Sequence, residues 1–222
     1  PPGLDAAALR LLPDDAGLRG RLRRAAGLDM AERVALASEA MAAGHRVLNS
    51  AIRLTLAAQA ADTETHLQPG PSFVKAASQG LFTTRRVCKG DTVLYYAGDV
   101  HDFSGKNRLE DQSYVLRIGR HSLWNDGEIF VDPSQCSFLA CRYMNDPRNE
   151  SLYNVAWRQT DEDAARFRCA VVAIKDIAEG HELFIDYGDA YWRSSSVAAT
   201  VLTGEMLKTE KRSRRRCRSS SS

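Results

Sequence analysis

The sequence predicts an α+β protein in which a helical N-terminal segment precedes a β-rich domain. Residues 5–61 carry mainly alanine and leucine at the three- and four-residue spacing of amphipathic helices. The stretch Gln68-Pro-Gly-Pro71 cannot continue a helix, because proline lacks the amide donor and clashes with the preceding turn. Beyond it, short runs of β-branched and aromatic residues alternate with glycine, aspartate and asparagine, which is typical of strands joined by turns.

The N-terminal segment, residues 1–66, is predicted to contain three helices. The pair Asp14-Asp15 precedes the first helix, where acidic side chains favour the positive end of the helix dipole. Asp29 has the position of an N-cap for the second helix, which ends at Gly44. The third helix is predicted over about residues 46–61. No pattern in these helices indicates chemistry, so we interpret them as a structural or docking element.

A linker over residues 67–72 is predicted to lead into a β-rich domain over residues 73–192. One small helix is predicted at Phe138–Met144. Two similar turns, Lys89-Gly90-Asp91 and Glu179-Gly180-His181, each follow one strand and start another. The predicted strands are Gly80–Thr84, Thr92–Tyr96, Ser113–Ile118, Ile129–Val131, Tyr153–Trp157, Phe167–Ile174 and Glu182–Ile185.

The C-terminal end of the chain is predicted to change from helix to disorder. Residues 193–207 are predicted as a helical segment, with the helix itself over Val197–Leu207. Residues 208–222 form a low-complexity basic and serine-rich tail. Because such a composition cannot bury enough apolar surface to fold alone, we expect this tail to be disordered.

The formal charge of +2 hides two oppositely charged parts of the chain. Residues 73–192 hold 14 Lys and Arg against 18 Asp and Glu, whereas residues 208–222 hold seven basic residues against Glu210 alone. The domain is therefore acidic and the tail strongly basic. With 44% hydrophobic and 26% charged residues, the composition is that of a globular protein and excludes collagen and wholesale disorder.

The cysteines form neither a metal-binding nor a disulfide pattern. Their number is odd, no Cys-x-x-Cys occurs, and no histidine pair has ligand spacing, so neither a bound metal nor a secreted disulfide scaffold is predicted. A reducing compartment is favoured. No stretch reaches 18 consecutive apolar residues, and no membrane span is predicted. The five cysteines are Cys88, Cys136, Cys141, Cys169 and Cys217.

Four patches of the β-rich domain stand in an order that is characteristic of one family. Together they resemble the SET domain of protein lysine methyltransferases, over roughly residues 73–192. The resemblance implies small curved sheets, with the asparagine-containing segment and the C-terminal Asp-Tyr segment crossing in a pseudoknot-like arrangement. The patches are Gly80–Thr84 with Val87–Val100, Ile129–Asp132, Arg142–Asn149, and Val172–Ile177 with Glu179–Gly188.

The resemblance also implies a reaction, with S-adenosylmethionine as the methyl donor and a lysine side chain as the acceptor. A lysine ammonium, with an unperturbed pKa of about 10.4, must lose a proton before its nitrogen can attack a methyl group. A dry channel lined by tyrosines favours the neutral amine and orients it through their hydroxyls. By resemblance, Tyr187 is the catalytic tyrosine, and Tyr96 and Tyr114 line the lysine channel.

The same resemblance implies the contacts of the methyl donor. The first motif approaches its methionine part through the main chain, and the asparagine of the third motif binds beside the crossing. The aromatic residue after Asp-Tyr-Gly is a candidate to stack on adenine, with a core or lid role as the alternative. The residues at these positions are Ser78, Gln79, Gly80, Phe82, Arg142, Asn145, Asp146, Tyr187 and Trp192.

Two motifs depart from the family pattern. Ser78-Gln79-Gly80 replaces the usual Gly-x-Gly, and a positive φ at Ser78 would be strained. Asn145-Asp146-Pro147 replaces the usual Asn-His sequence and is similar to the PR subtype, which includes active and silent members. A catalytically silent SET-fold interaction module is therefore the alternative to an enzyme. A nucleic-acid-associated factor that acts through its basic tail is a third, weaker interpretation.

The partners and location are expectations from charge. The acidic domain suits a lysine-containing protein or peptide, with histones as the commonest targets of the family, and Asp99, Asp102, Glu110 and Asp111 are candidates for docking it. Residues 208–222 are predicted to serve as a nuclear localisation signal or to contact nucleic acid phosphates. The nucleus is favoured over the cytoplasm or a plastid. The sequence does not predict an oligomeric state.

Overall fold

In the computed structural model, the chain divides into two compact units, Pro1–Thr55 and Leu56–Ser222. In the first unit, residues 43–53 are helical without a break, so residues 46–53 are helical as predicted, but the helix end predicted at Gly44 is wrong. Gly44 keeps the helical backbone and does not adopt the positive φ that ends a helix. Residues 1–38, which carry the first predicted helix and most of the second, lie outside the described residues. The structure describes residues 39, 43–53, 55–57, 60, 64–121, 126–194 and 201–208.

Eight short strands of the second unit form three small antiparallel sheets among the described residues. The first sheet pairs β1 with β2, the second has the order β3-β8-β7, and the third has the order β4-β6-β5. This set of small sheets, with few helices, confirms the predicted fold class. The strands are β1 (Leu67–Pro71), β2 (Gln79–Thr83), β3 (Thr92–Ala97), β4 (Asp99–Asp102), β5 (Leu116–His121), β6 (Gly127–Asp132), β7 (Val155–Arg158) and β8 (Arg168–Ala173).

The helices of the second unit are short. The small helix predicted at Phe138–Met144 is a 3-10 helix over Ala140–Tyr143. A helix at Asp161–Ala165 was not predicted, although Thr160 caps it by accepting a hydrogen bond from the Asp163 amide, and three acids fill its first turn. The α-helices between β4 and the C-terminal stretch are α1 (Phe103–Lys106), α2 (Asp161–Ala165) and α3 (Asp189–Ser194), and a second 3-10 helix covers Glu150–Leu152.

Two predicted strands are placed differently by tertiary contacts. The strand predicted at Ser113–Ile118 is β5, which begins at Leu116, and its pairing with β6 is irregular between Arg117 and Gly119. The run Glu182–Ile185 forms only isolated bridges, at Glu182 and Phe184. Its backbone groups bond to Leu81, Asn145 and the side chain of Asn154 instead of to one neighbouring strand.

Two strands were not predicted from the sequence. The segment assigned as a linker contains β1, whose two prolines are tolerated because β1 pairs on one side only, with β2. The strand β4 has the sequence Asp-Val-His-Asp, and it was not predicted because aspartate is uncommon in strands. Asp99 at its start is nonetheless buried, opposite Asp132 of β6.

The two similar turns predicted around Gly90 and Gly180 are confirmed. Both glycines have positive φ, of 94° and 75°, where a side chain would be strained. The segments that precede them are joined by an antiparallel bridge between Val87 and Ile177. The two turns therefore lie at equivalent positions on a pair of neighbouring segments.

The C-terminal residues 201–208 pack onto the SET-like core. Leu202 is buried beside Phe73, Val74 and Phe184, its amide donates to Pro147 O at 2.9 Å, and its carbonyl accepts from the Asn149 side chain at 3.0 Å. Of the helix predicted over Val197–Leu207, residues 197–200 lie outside the described residues, residues 201–203 are not helical, and the helix of this stretch covers residues 204–208. The C-terminal segment thus stabilises the loop that follows Asn145.

Gly98 is expected to tolerate no side chain. A Cβ atom there would lie 2.5 Å from Pro133 N and closer still to the Asp132 carbonyl, so backbone would have to move. We expect Gly98→Ala to lower the free energy of unfolding by about 2–4 kcal/mol in denaturant titrations. Gly204→Ala is the matched control, because its Cβ meets no atom within 4 Å, and its stability should be unchanged or higher. Equal stabilities of the two variants would contradict this account.

Candidate active site

The third and fourth motifs lie side by side in the folded chain. Asn145 and Phe184 form a parallel bridge, and the Ile185 amide donates to Asn145 O at 3.1 Å. The chain therefore brings two segments, about 40 residues apart, into direct backbone contact. This contact places Tyr187, which follows Ile185 by two residues, beside the loop that begins at Asn145.

Tyr187 is held by hydrogen bonds from both its main chain and its side chain. Its amide donates to Asp146 Oδ2 at 3.0 Å, and its hydroxyl donates to Met144 O at 2.5 Å. Burial, with the nearby Tyr191 and Asp146, raises the pKa of the Tyr187 phenol well above its usual value of 10.0. The phenol is therefore neutral at physiological pH, with its proton directed at a carbonyl and its oxygen lone pairs left for another donor.

The two other predicted tyrosines lie at the same place. The Tyr96 hydroxyl donates to Tyr114 O at 2.7 Å, and the Tyr96 ring meets Trp157 edge-on at 5.2 Å. Burial raises the pKa of the Tyr96 phenol well above 10.0, so it is also neutral. Tyr96, Tyr114 and Tyr187 all line one cavity of about 280 Å³. We call this cavity and its tyrosines the tyrosine cavity.

Asp146 is a buried carboxylate that ties this site together. Its Oδ1 accepts from the Arg148 amide at 2.6 Å and from the Tyr153 hydroxyl at 2.9 Å. Its Oδ2 accepts from the Tyr187 amide at 3.0 Å and from the Trp192 indole at 2.8 Å. Asp146 lines the tyrosine cavity, but these four bonds use its carboxylate to hold protein groups. The residue that departs from the family pattern therefore organises the surroundings of Tyr187.

Asn145 joins the third motif to the first. Its Nδ2 donates to Gln79 O at 2.7 Å, and Ser72 Oγ and Glu182 Oε1 are further acceptors at 3.1 and 3.2 Å. Ser78 has no positive φ, so the strain considered for it at this position is not present. Gly80 is needed for space, because a Cβ there would overlap the Glu182 carboxyl group.

One side of the tyrosine cavity is formed by residues just before the first motif. Val74, Ala76 and Ala77 line it, whereas Ser78, Gln79, Gly80 and Phe82 do not. The Phe82 ring instead packs against Phe73 at 5.7 Å, next to the cluster around Leu202. The four residues predicted from the first motif therefore lie outside this cavity, and their donor contacts stay a prediction. The apolar residues before the motif, which carry no motif themselves, were not predicted to line a cavity.

Arg142 lies in the wall of the tyrosine cavity with part of its hydrogen-bonding capacity unused. Its Nε is buried and has no hydrogen-bond partner within the described part of the chain. The guanidinium lies over the rings of Tyr114 and Tyr143, at 5.2 and 5.6 Å from their centres. A buried N–H without a partner is costly in a folded protein, so this group suits a ligand acceptor.

Trp192 is fixed by its neighbours. Its indole donates to Asp146, its ring lies nearly parallel to Tyr187 with centres 6.0 Å apart, and Arg148 lies over it at 4.7 Å. Tyr191, which the sequence analysis did not select, also lines the tyrosine cavity and meets Trp192 edge-on at 5.1 Å. Tyr191 directly precedes Trp192 in the sequence, and this adjacency of two aromatic residues was the signal that could have identified Tyr191.

A second, more open cavity of about 910 Å³ adjoins the first. The residues common to both cavities include Leu116, Trp157, Tyr187 and Trp192. The Trp157 indole donates to Asp186 O at 2.8 Å, which fixes the ring between the two spaces. Two cavities that meet at a tyrosine can hold two reactants whose reacting atoms approach each other there.

The acids proposed for docking a cationic peptide have different surroundings. Asp99 is buried, so it is not a surface docking residue. Asp102 caps α1 by accepting from the Gly105 amide, and Asp111 accepts from the Ser113 amide at 2.8 Å. Glu110 and Asp111 are exposed. The charge pattern alone could not separate the buried acid from the exposed ones.

Two further findings concern metals and membranes. Across residues 64–121, 126–194 and the other described ranges, no group of three His, Cys, Asp or Glu side chains is placed to hold a metal ion. The helices in the described part of the chain are too short or too polar to cross a bilayer.

The free energy of unfolding is expected to fall as the pH rises from 8 to 10. Desolvation raises the pKa of the buried Cys141 thiol to about 12 and that of Cys169 to about 11. In the unfolded chain both thiols titrate near 9.0, so at higher pH the unfolded state has lost protons that the folded state keeps. Each thiol then accounts for a loss of about 1 kcal/mol by pH 10.

Denaturant titrations at the two pH values measure this loss. Cys141→Ala should remove one of the two thiol contributions, whereas Cys88→Ala should keep the full pH dependence, because Cys88 is exposed. A Cys141→Ala variant with the same pH dependence as the wild type would be inconsistent with the buried, protonated thiol.

The small sheets, the crossing segments and the tyrosine cavity define a SET domain. A family model for the SET domain matches residues 78–188, half of the chain, and the chain belongs to this family. The SET family includes protein lysine methyltransferases, which generally use S-adenosylmethionine as the methyl donor. The resemblance stated from the sequence is thereby confirmed.

Among curated proteins, the chain is similar to the histone-lysine N-methyltransferase EZH2 of Chaetomium thermophilum. The two are 27% identical over 137 residues, which is 55% of this chain and 8% of EZH2. The chain thus spans less than a tenth of the length of this curated relative.

Two solved structures are also similar. The methyltransferase domain of human PR domain-containing protein 2 has a TM-score of 0.44 and 19% identity, covering 55% of this chain and 77% of that domain. The crystal structure of the Chaetomium thermophilum polycomb repressive complex 2 has a TM-score of 0.42 and 26% identity, covering 55% of this chain and 15% of the matched one.

Proposed function

We propose that the chain is a protein-lysine N-methyltransferase that transfers a methyl group from S-adenosylmethionine to a lysine side chain of a protein substrate. The observation that carries the proposal is the meeting of Tyr96, Tyr114 and Tyr187 at one cavity whose wall also contains Arg142 and Asn145. Three tyrosines from distant parts of the chain surround a small space beside a cation and an amide, which suits an amine and a polar donor.

The residues of the tyrosine cavity fit the amino-acid end of the donor. The unpartnered Nε of Arg142 suits its carboxylate, and Asn145 Oδ1, which makes no hydrogen bond within the described residues, suits its ammonium. Val74, Ala76 and Ala77 offer an apolar wall for its methylene groups. When bound, the donor supplies a methyl group on a cationic sulfur, which a neutral lysine amine accepts as the carbon–sulfur bond breaks.

The tyrosines bind and orient the acceptor amine. Tyr187 directs its proton to Met144 O, so its oxygen can accept a hydrogen bond from the lysine nitrogen and a weak one from a polarised methyl group. Tyr96 and Trp157 exclude water from the same space. Exclusion of water lowers the pKa of a lysine ammonium and so increases the fraction of reactive amine.

The proposal has a direct test in two measurements. Calorimetry with S-adenosylmethionine should give saturable binding to one site per chain. Labelled methyl transfer to histones and to whole-cell extract should then give labelled protein, with the label on lysine. Binding without any labelled product would contradict the enzyme, and absence of binding would contradict the donor site as well.

A catalytically silent SET-fold module is the second candidate, because the first and third motifs depart from the family pattern. The replacement of histidine by Asp146 is the specific feature in its favour. A silent module should show no heat with S-adenosylmethionine and should bind protein partners without modifying them.

The substrate class that we propose is a histone or another lysine-rich protein, and the location the nucleus. One curated relative of this chain is a histone-lysine N-methyltransferase, and the domain is acidic overall. Contact of the basic tail with nucleic acid remains a prediction, since residues 209–222 lie outside the described residues. A salt-dependent DNA or RNA affinity that disappears on removal of residues 208–222 would support it.

A further inference from the structure

Glu182 is a buried carboxylate at the point where three motifs of the SET domain meet. Its side chain is only 2% exposed. It stands in the fourth motif, five residues before Tyr187, but it does not line the tyrosine cavity. Burial of a carboxylate is costly unless protein donors satisfy it, so its partners indicate its role.

Those partners belong to the segments that form the tyrosine cavity. Ser72 Oγ donates to Oε1 at 2.6 Å, and the Phe73 amide donates to Oε2 at 2.7 Å. Asn145 Nδ2 is a third donor, 3.2 Å from Oε1. The carboxylate thus joins the residues before the first motif to the third motif.

The first motif leaves space for this carboxylate. A Cβ at Gly80 would overlap Oε1 and lie 2.6 Å from Cδ of Glu182. The glycine of the motif is therefore matched to the carboxylate of the fourth motif, because any side chain at Gly80 would displace it.

The carboxylate and the Gln79 carbonyl together set which way the Asn145 amide faces. With Nδ2 towards Glu182 and Gln79 O, the amide donates to two acceptors, whereas an inverted amide would set its Oδ1 against both oxygens. Repulsion between an amide oxygen and a carboxylate opposes that inversion. Oδ1 is left for the cavity that Asn145 lines, where it is available to accept a hydrogen bond from a cationic ligand group.

We propose that Glu182 is a positioning residue of the methyl-donor site, which fixes the orientation of the Asn145 amide so that Oδ1 binds the donor's ammonium. This inference rests on the proposed function. It assigns a role to a residue that does not itself touch the donor, and it names the part of the donor, the amino-acid end, that depends on it.

The test compares two ligands on the whole chain by calorimetry. S-adenosylmethionine carries the ammonium, whereas 5′-methylthioadenosine has the same nucleoside but no amino-acid end. Glu182→Gln keeps the size of the side chain but removes the charge that orients Asn145. We expect the affinity for S-adenosylmethionine to fall about 10- to 100-fold and that for 5′-methylthioadenosine to change less than about threefold.

Asp163→Asn is the matched control, because Asp163 is also a buried carboxylate, bound to Arg168 at 3.0 Å, and lies outside both cavities. It should lower the stability of the fold without changing either affinity. Ser72→Ala removes one hydroxyl of the same network, and it provides a second variant if Glu182→Gln does not fold. We expect it to weaken S-adenosylmethionine selectively, by about 3- to 10-fold.

The outcomes separate the two proposals. Equal losses for both ligands, or no loss for either, would overturn the role of Glu182 while leaving the donor site itself intact. If the wild-type chain bound neither ligand, the proposed function would fail first, and the role of Glu182 with it. A selective loss of S-adenosylmethionine, with kcat nearly unchanged at saturating donor, would support the inference.

Discussion

Tyr187→Phe is expected to reduce kcat for methyl transfer by about 100-fold or more, with little change in the affinity for S-adenosylmethionine. The substitution removes the oxygen that orients the acceptor amine and keeps the ring that excludes water. Loss of one positioned polar group in a dry active site typically costs this much. Labelled methyl transfer at saturating donor and substrate measures the change.

Tyr95→Phe is the control for this prediction. Tyr95 lies outside the tyrosine cavity, and its ring keeps its place beneath the Arg168 guanidinium, 3.6 Å away, when the hydroxyl is removed. Its transfer rate should equal that of the wild type. Both phenylalanine variants should remain folded, since each loses at most one hydrogen bond, worth about 1 kcal/mol. Equal labelling by wild type and Tyr187→Phe would remove Tyr187 from its proposed role.

Asp146→Asn is expected to lower the free energy of unfolding by about 2–4 kcal/mol and to reduce kcat at the same time. The carboxylate accepts four hydrogen bonds from donors on Arg148, Tyr153, Tyr187 and Trp192. An asparagine has one acceptor oxygen, so its NH₂ group would face two of these donors. Buried donors without an acceptor cost about 1–3 kcal/mol each, and partial relaxation reduces the sum.

Denaturant unfolding together with transfer kinetics checks this prediction. Asp161→Asn is the control, because Asp161 is an exposed acid in the first turn of α2, and its loss should cost less than about 1 kcal/mol. If Asp146→Asn were as stable and as active as the wild type, Asp146 would not organise the surroundings of Tyr187.

The sequence was sufficient to predict which three tyrosines share one site, because each of them belongs to a motif. Tyr187, Tyr96 and Tyr114 were selected by their neighbours in the chain, and all three line one cavity in the structure. Their roles in catalysis and those of the donor-contact residues remain proposals. Phe82 illustrates the limit of prediction from motifs. Its position belongs to the first motif of the family, but its ring packs against Phe73 in this chain.

The buried carboxylates could not be predicted from the sequence. Glu182 and Asp146 each stand in a polar stretch next to a turn, where an acid is usually exposed to solvent. Their partners come from residues 37 to 110 positions away in three of the contacts that matter most: Ser72 to Glu182, Asn145 to Glu182 and Tyr187 to Asp146. No local pattern records contacts of that range.

The difference between local patterns and long-range contacts also explains which strands were predicted from the sequence. β3 and β8 were predicted because they are rich in apolar and β-branched residues, which are buried in the structure. The composition of each segment alone therefore indicates a strand. β1 and β4 form because a partner strand accepts their backbone bonds, which their prolines and acids do not indicate. Local composition therefore predicts strands such as β3 and β8, whose side chains fill the core, whereas β1 and β4 are decided by pairing with a partner strand.

The sequence by itself determined the family, the α+β class and the three tyrosines, because these depend on motifs and periodicities within short segments. Only the tertiary structure decided which acids are buried, how Asn145 and Asp146 are bonded, and that Val74, Ala76 and Ala77 form the cavity wall. The physical reason is that a buried polar group is stable only beside its partners, and those partners are brought together by folding.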